Sequence, residues 1–148
     1  MHITIAAIGK MKASEEAKLV SHYLTKLPWR VEMREGDGGK FKSKSDETAW
    51  LLQQLKGVEK IIMLDERGKD MKSLEFAKMM GSQIDDGVKR IGIVIGGADG
   101  LDQSQLPANA SRMCFGKQTW PHMLVRVMLA EQLYRAHTIL TNHPYHRE

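Results

Sequence analysis

Short runs of apolar, largely β-branched residues alternate along the chain with longer stretches in which apolar positions recur every three or four residues. The first run, Ile3 to Ile8, ends at Gly9 and predicts a buried strand. Ser14 then offers a helix cap. Glu15 and Glu16 suit the positive end of that helix, and Val20, Tyr23, Leu24 and Leu27 repeat at helical spacing until Pro28. Trp29 to Met33 predicts a second strand. Arg34 to Lys44, with three glycines, three lysines and Phe41 as its one apolar side chain, predicts a loop. Ser45 starts the next helix, with Asp46 and Glu47 in its first turn, Leu51, Leu52 and Leu55 behind them, and Gly57 as its stop.

Lys60 to Asp65 predicts a strand followed by a turn at Gly68, and Ser73 opens a helix carrying Leu74, Ala77 and Ile84. Arg90 to Ile95 is a further strand that runs straight into Gly96-Gly97-Ala98-Asp99-Gly100. A last short strand, Arg112 to Phe115, precedes Gly116 to Pro121 and the longest helix, Pro121 to Leu140. Strands alternating with helices imply parallel pairing through crossovers, so the fold class is α/β. The 148 residues suffice for one packed core and not two, which makes the whole chain a single domain. In such sheets ligands sit beyond the carboxyl ends of the strands, which singles out the turns after Leu64, Ile95 and Phe115.

Charge adds a partner class to this picture. The formal net charge of +4 and sequence pI of about 9.2 agree with a polyanionic partner. The longest apolar candidate for a membrane helix, Met123 to Ala130, is interrupted by Arg126, and no basic region precedes the apolar N-terminal run. A soluble, cytoplasmic protein without a membrane partner is expected. The single cysteine, Cys114, allows no internal disulfide and reads as a buried thiol in a strand.

The three turns carry different chemistry. The adjacent glycines of Ile95 to Leu101 let the backbone approach a ligand, although a tight turn would use the same residues. Neither a phosphate-binding loop with Lys-Ser or Lys-Thr nor a GxGxxG is present, which removes the usual support for nucleoside triphosphates and dinucleotides. In Gly116 to Pro121, Pro121 suits a first helical turn with Thr119 or Trp120 near the cap. Trp120 serves either as a core plug or as the wall of a pocket whose backbone groups hydrogen-bond an adenine.

The last helix has two apolar faces: Val125, Leu129, Leu133, Ala136 and Leu140 on one, Met123, Val127, Ala130 and Tyr134 on the other. The pattern fits a subunit interface or a deep core position equally. Glu131 and Arg135, four apart, read as a helix-surface pair. The tail from Thr141 to Glu148 is dense in functional side chains. Pro144 between His143 and His146, and the lack of companion ligands, argue against a metal site, whereas Tyr145, His146 and Arg147 suit stacking and phosphate or base contacts to RNA. A tail without function is the alternative. Lys40, Lys42 and Lys44 either hold phosphates of a polyanionic partner or belong to an ordinary solvated loop.

The start Ile-Ala-Ala-Ile-Gly-Lys, the glycine turn of Ile95 to Leu101, Pro121 to Val127, the Ala130 to Ala136 helix segment and the terminal Thr141 to Glu148 together resemble the ribosomal large subunit methyltransferase H family, over essentially the whole chain. The resemblance implies a SPOUT-type parallel sheet with a C-terminal trefoil knot, a homodimer with a shared site, and methylation of N3 of a pseudouridine in 23S rRNA, with the assembled ribosome as the expected substrate. It implies S-adenosylmethionine as methyl donor and no metal. Carried over by position, its cofactor contacts fall on Leu64, Gly97, Gly116, Lys117, Gln118, Thr119, Trp120 and Pro121, and its substrate-side residues on Tyr145, His146 and Arg147. Trp120 and Met123 stand where relatives often have an aliphatic residue and proline, so backbone contacts weigh more there than side chains. His146 is a candidate to help remove the N3 proton, and Arg147 to orient phosphate or stabilise charge on the base. The other classes open at this point are a non-enzymatic ribosome- or rRNA-binding protein and a SPOUT methyltransferase for another RNA nucleotide.

Overall fold

In the computed structural model, which describes residues 1–147, the N-terminal apolar run becomes β1 (His2–Ile8), buried from Ile3 onward. Four more strands join it: β2 (Arg30–Gly36), β3 (Lys60–Asp70), β4 (Arg90–Ile95) and β5 (Ser111–Cys114). All pairings are parallel, in the order β2-β1-β4-β3-β5. The crossovers are made by α1 (Glu15–Leu24), α2 (Lys44–Gln54) and α3 (Ser73–Asp85), and α4 (His122–Leu140) follows β5.

Alternate strand residues face two cores, which is why the central strands read as unbroken apolar runs. Ile3, Ile5, Ile62, Ile91 and Ile93 pack with Phe76, Ala77 and Met80 of α3 and with Leu129 and Leu133 of α4. Ala6, Met63 and Val94 point the other way, onto Leu51 and Leu55 of α2. No helix among the described residues is long and apolar enough to cross a membrane.

Several boundaries differ from the sequence reading, each for a tertiary reason. β2 continues three residues past Met33 because Arg34, Glu35 and Gly36 find parallel partners in Ala6, Ala7 and Ile8. Arg34 meanwhile donates to the Gln54 carbonyl at 2.7 Å and to Glu32 at 2.9 Å, so its charge is satisfied in the strand. Ser43, not Ser45, caps α2 by accepting from the Asp46 N–H at 3.1 Å. α1 stops at Leu24 rather than Leu27, while its cap is Ser14 as the sequence predicts. In α3 the buried face is Phe76, Ala77 and Met80, and Leu74 and Ile84 are exposed. Cys114 is half-buried rather than enclosed, because it ends β5 at a cavity.

β3 runs on to Asp70 instead of ending at Asp65. Leu64 and Lys69 both register with Met113, so the residues between them bulge out of the ladder. Gly68 lies directly on β5: a Cβ there would stand 2.5 Å from the Met113 nitrogen and carbonyl carbon. Only a residue without a side chain permits that approach.

Both apolar faces of α4 find partners within the one chain. α1 meets it through Tyr23 against Tyr134, α3 through Gly81 beneath Leu140, and the sheet takes Leu129 and Leu133. Val127 of the second face borders an open cavity instead, and Leu140 stays 38% exposed.

Candidate active site

The turns after Leu64, Ile95 and Phe115 converge on one cavity of about 280 Å³ at the carboxyl edge of β3, β4 and β5. The convergence follows from the topology, since β4, β3 and β5 are neighbours and parallel strands end on the same side. Of the positions where the resemblance implies cofactor contacts, Leu64, Gly97, Gly116, Gln118, Thr119 and Trp120 line it. Lys117 and Pro121 do not; both are exposed, and Pro121 instead takes the cap position of α4. His122, Lys44 and Asp99 also line the cavity and were not singled out from sequence as a group.

Trp120 is a wall and not a core plug. Its indole N–H donates to the Phe115 carbonyl at 2.9 Å, closing the loop from Gly116 to Thr119 across its base, and the ring stays 38% exposed. Among the described residues no hydrogen bond takes up the backbone N–H groups of Gly116 to Trp120. A loop with that many unused donors on an apolar wall is suited to an aromatic heterocycle. The facing loop is held in place by α2: Thr48 Oγ1 accepts from the Asp102 N–H at 2.8 Å, and Gln105 donates to Ser45.

The tail folds back along α4 in an ordered arrangement. Asn142 turns with φ of 56° and the His143 N–H returns to the Thr138 carbonyl at 2.8 Å. Tyr145 then donates its hydroxyl to Glu131 at 2.9 Å and lies under the Arg135 guanidinium, 4.8 Å from carbon to ring centre. Tyr134 meets the same ring edge-on. Arg135 holds Glu131 at 2.6 and 2.9 Å and donates to His146 Nδ1 at 3.1 Å. Burial, together with the carboxylate of Glu131, pushes the Tyr145 hydroxyl up to about 12, so it remains a donor at neutral pH. Glu131 and Arg135 do pair, as their spacing predicts, but the pair also anchors Tyr145 and His146. Periodicity could not reveal that, because the anchored residues follow a chain reversal. Arg147 is exposed, and Glu148 lies outside the described residues.

Glu131 is ten residues beyond Pro121, about 15 Å along the helix. It borders a second cavity of about 400 Å³ with Tyr23, Ser73 and Gln132, and Cys114 and Phe115 line both cavities. The tail network and the three-turn cavity are thus separate features of one chain with a shared wall.

The sequence reading also missed a buried ion pair beneath the site. Arg126, fully buried in the first half of α4, pairs with Glu35 at the end of β2 and donates to the Ile8 carbonyl at 2.7 Å. Glu35 additionally accepts from the Met11 N–H at 2.8 Å. The signal available was a lone arginine inside an otherwise apolar helix stripe. Among the described residues no three of His, Cys, Asp and Glu gather as a metal centre requires.

Comparison with known proteins matches the same span. A family model described as "Predicted SPOUT methyltransferase" matches residues 1–146. A protein of Rhizobium etli named "Ribosomal RNA large subunit methyltransferase H" is 43% identical over 159 aligned positions that cover 99% of each chain. Proteins of the same name from Maricaulis maris, at 42% identity over 100% of each chain, and Paramagnetospirillum magneticum, at 40% over 99% of each, are similarly alike.

Proposed function

The chain belongs to the SPOUT methyltransferase family, and from that premise we propose that it methylates N3 of a pseudouridine in 23S rRNA, with S-adenosylmethionine as methyl donor. The carrying observation is the convergence of three strand-end turns, around Leu64, Gly97 and Gly116 to Trp120, on one cavity with unused backbone donors. The relatives' printed name supplies the RNA class.

The residues present fit the methyl donor. The N–H groups of Gly116 to Trp120 suit the adenine, Leu64 and Trp120 give apolar walls, and Gly97 lines the opposite wall with its backbone, held there by Glu47 and Ile8 packed behind it. Lys117 and Pro121 stay in the proposed set through their backbone and through the start of α4. When bound, S-adenosylmethionine supplies an electrophilic methyl group, and the protein's task is to bring a nucleophilic nitrogen in line with it.

The tail supplies the groups for that task. Tyr145 offers a ring whose position Glu131 and Arg135 fix, suited to stacking on a base. Arginine only donates, so His146 Nδ1 accepts from Arg135 and the neutral ring carries its proton on Nε2. Taking the N3 proton at Nδ1 requires the Arg135 contact to open. Arg147, exposed beside it, suits a phosphate. Lys40, Lys42 and Lys44, all exposed at the same edge of the sheet, extend the cationic surface for rRNA.

A homodimer belongs to this reading, because a second copy can bring its tail to the cavity that one chain keeps about 15 Å away along α4. Exposed Leu124 and Trp120 at the cavity end of α4 suit such a contact. The trefoil knot also belongs to it, as a feature that the family resemblance implies. Mass spectrometry of 23S rRNA from a deletion strain tests the function: loss of one methyl from a pseudouridine is expected, and an unchanged modification pattern would overturn the proposal. Methyl transfer from labelled cofactor to assembled ribosomes, and not to free rRNA, tests the choice of substrate.

A further inference from the structure

The edge of the sheet opposite the cavity is lined with cations. β2, β1, β4 and β3 stand side by side in that order, and their first residues are Arg30, His2, Arg90 and Lys60. His2 registers with Arg30 on one side and Arg90 on the other, while Lys60 registers with Ile91, one residue further in. With strands about 4.8 Å apart, the row from Arg30 to Lys60 is about 14 Å long. Lys56, in the turn after α2, and Lys89, just ahead of β4, flank it. Arg30, Lys56, Lys60, Lys89 and Arg90 are all exposed, and among the described residues none of them forms an ion pair.

The nearby acids are spent elsewhere or stand apart from the row. Glu32, 3.5 Å from His2, is bonded to Arg34 at 2.9 Å, and Glu59 accepts the backbone N–H groups of Lys89 and Arg90, both at 3.0 Å. Asp85 and Asp86 end α3. Helix C-termini attract cations, which accounts for Lys56 beyond α2, but Arg30, Lys60 and Arg90 start strands and belong to no helix. Arg90 and Lys60, on adjacent strands, repel each other without a carboxylate paired to either. The large apolar residues closest to the row in sequence, Trp29 and Val58, are half-buried against the two cores. A protein partner needs apolar anchors at the centre of its contact, whereas a phosphate backbone needs only spaced cations.

We propose that this row is a second rRNA contact, which grips backbone phosphates of a segment apart from the target nucleotide and so docks the enzyme on its substrate. The inference rests on the reading of the chain as an rRNA methyltransferase. β4 rises about 17 Å from Arg90 to Ile95 at the cavity, so a nucleotide held at the row is not the one that receives the methyl group. Residues 1–146 belong to the family model, so the surface of that fold is what rRNA meets. Phosphate contacts of this kind release counterions, which makes them salt-dependent and indifferent to base sequence: they position the enzyme, and the cavity does the chemistry.

The test compares two double variants of the full chain with equal loss of charge: Lys60→Gln with Arg90→Gln in the row, and Lys18→Gln with Lys78→Gln on the exposed sides of α1 and α3. In methylation of assembled ribosomes with labelled cofactor, the row pair should raise KM for ribosomes about fivefold or more and leave kcat within about twofold. Calorimetric affinity for S-adenosylmethionine should be unchanged, and the control pair should match the parent throughout. Filter binding of poly(U) should weaken in the row pair, with log affinity against log salt shallower by about 1.4 for two lost contacts to a single strand. Polyglutamate should compete for the parent at least about tenfold less well than RNA. An unchanged KM in the row pair, or an equal rise in the control pair, overturns the proposal. So does polyglutamate competing as well as RNA, which would mark the row as a surface for an acidic protein. If the parent methylates no ribosome at all, the methyltransferase reading fails, and the poly(U) slope still decides the row by itself.

Discussion

Arg126 and Glu35, 91 residues apart in the chain, form a buried ion pair that ties the first half of α4 to the end of β2. The arginine is wholly enclosed, whereas the glutamate keeps a quarter of its side chain in solvent. Burial lowers the affinity of the Arg126 guanidinium for its proton and Glu35 restores part of it, so the pair is interdependent. Removing the glutamate leaves a charge that neither water nor another acid satisfies. Glu35→Ala should therefore cost about 3 to 5 kcal/mol in urea unfolding. Glu35→Gln, which retains an acceptor for the Met11 N–H, should cost distinctly less. Equal effects of the two variants would show that packing, and not charge, matters at this position.

The closest backbone approach in the fold yields a second prediction. Gly68→Ala would drive a methyl group to 2.5 Å from the Met113 backbone, and no side-chain rotation relieves it. A loss above about 3 kcal/mol is expected, with β3 and β5 separating. Gly57→Ala is the control: its Cβ meets nothing within 4 Å, and a φ of +88° alone should cost about 1 kcal/mol. Urea denaturation of both variants decides whether contact or conformation dominates.

At Gly97 the space behind the turn belongs to Glu47. Gly97→Val should weaken S-adenosylmethionine binding by about tenfold or more, because the branched side chain must displace the Glu47 carboxylate or push the turn into the cavity. Titration of a variant that keeps its native circular dichroism checks this. Unchanged affinity would remove Gly97 from the site.

Deleting residues 145–148 should abolish methylation of ribosomes while leaving cofactor affinity largely intact, since Tyr145 and His146 contact α4 and not the three-turn cavity. Tyr145→Phe should cost about 1 kcal/mol of tail docking by removing one hydrogen bond to a charged acceptor. The Tyr145 hydroxyl is raised from 10.0 to about 12, so its contribution is fully present below pH 10 and is lost as pH rises toward 12. Protease cleavage of the tail, followed against pH, should show that alkaline release in the parent and not in Tyr145→Phe. Near-normal turnover by the truncated protein would place catalysis in the cavity alone.

The sequence by itself determined the element order, the α/β class and the three strand-end turns that meet at the cavity, because each rests on neighbours in the chain. A period of two or an unbroken apolar run marks a strand, a period of 3.6 marks a helix, and glycine at a strand end marks a turn. Leu64, Gly97 and Gly116 to Trp120 were legible for that reason, and the tail's Tyr145 and His146 through the resemblance. Only the tertiary structure decided what those residues touch. β2 extends through Arg34 and Glu35 because β1 offers a parallel partner, which no local pattern encodes. Arg126 looked like an interruption of an apolar helix until folding set Glu35 beside it, and Glu131 like half of a surface pair until the tail turned back at Asn142. Glu47 passed for an ordinary first-turn acid favourable to the helix dipole. Its burial against Gly97 follows from the packing of α2 across the end of β4, a contact between distant parts of the chain whose energy appears only once the sheet has formed.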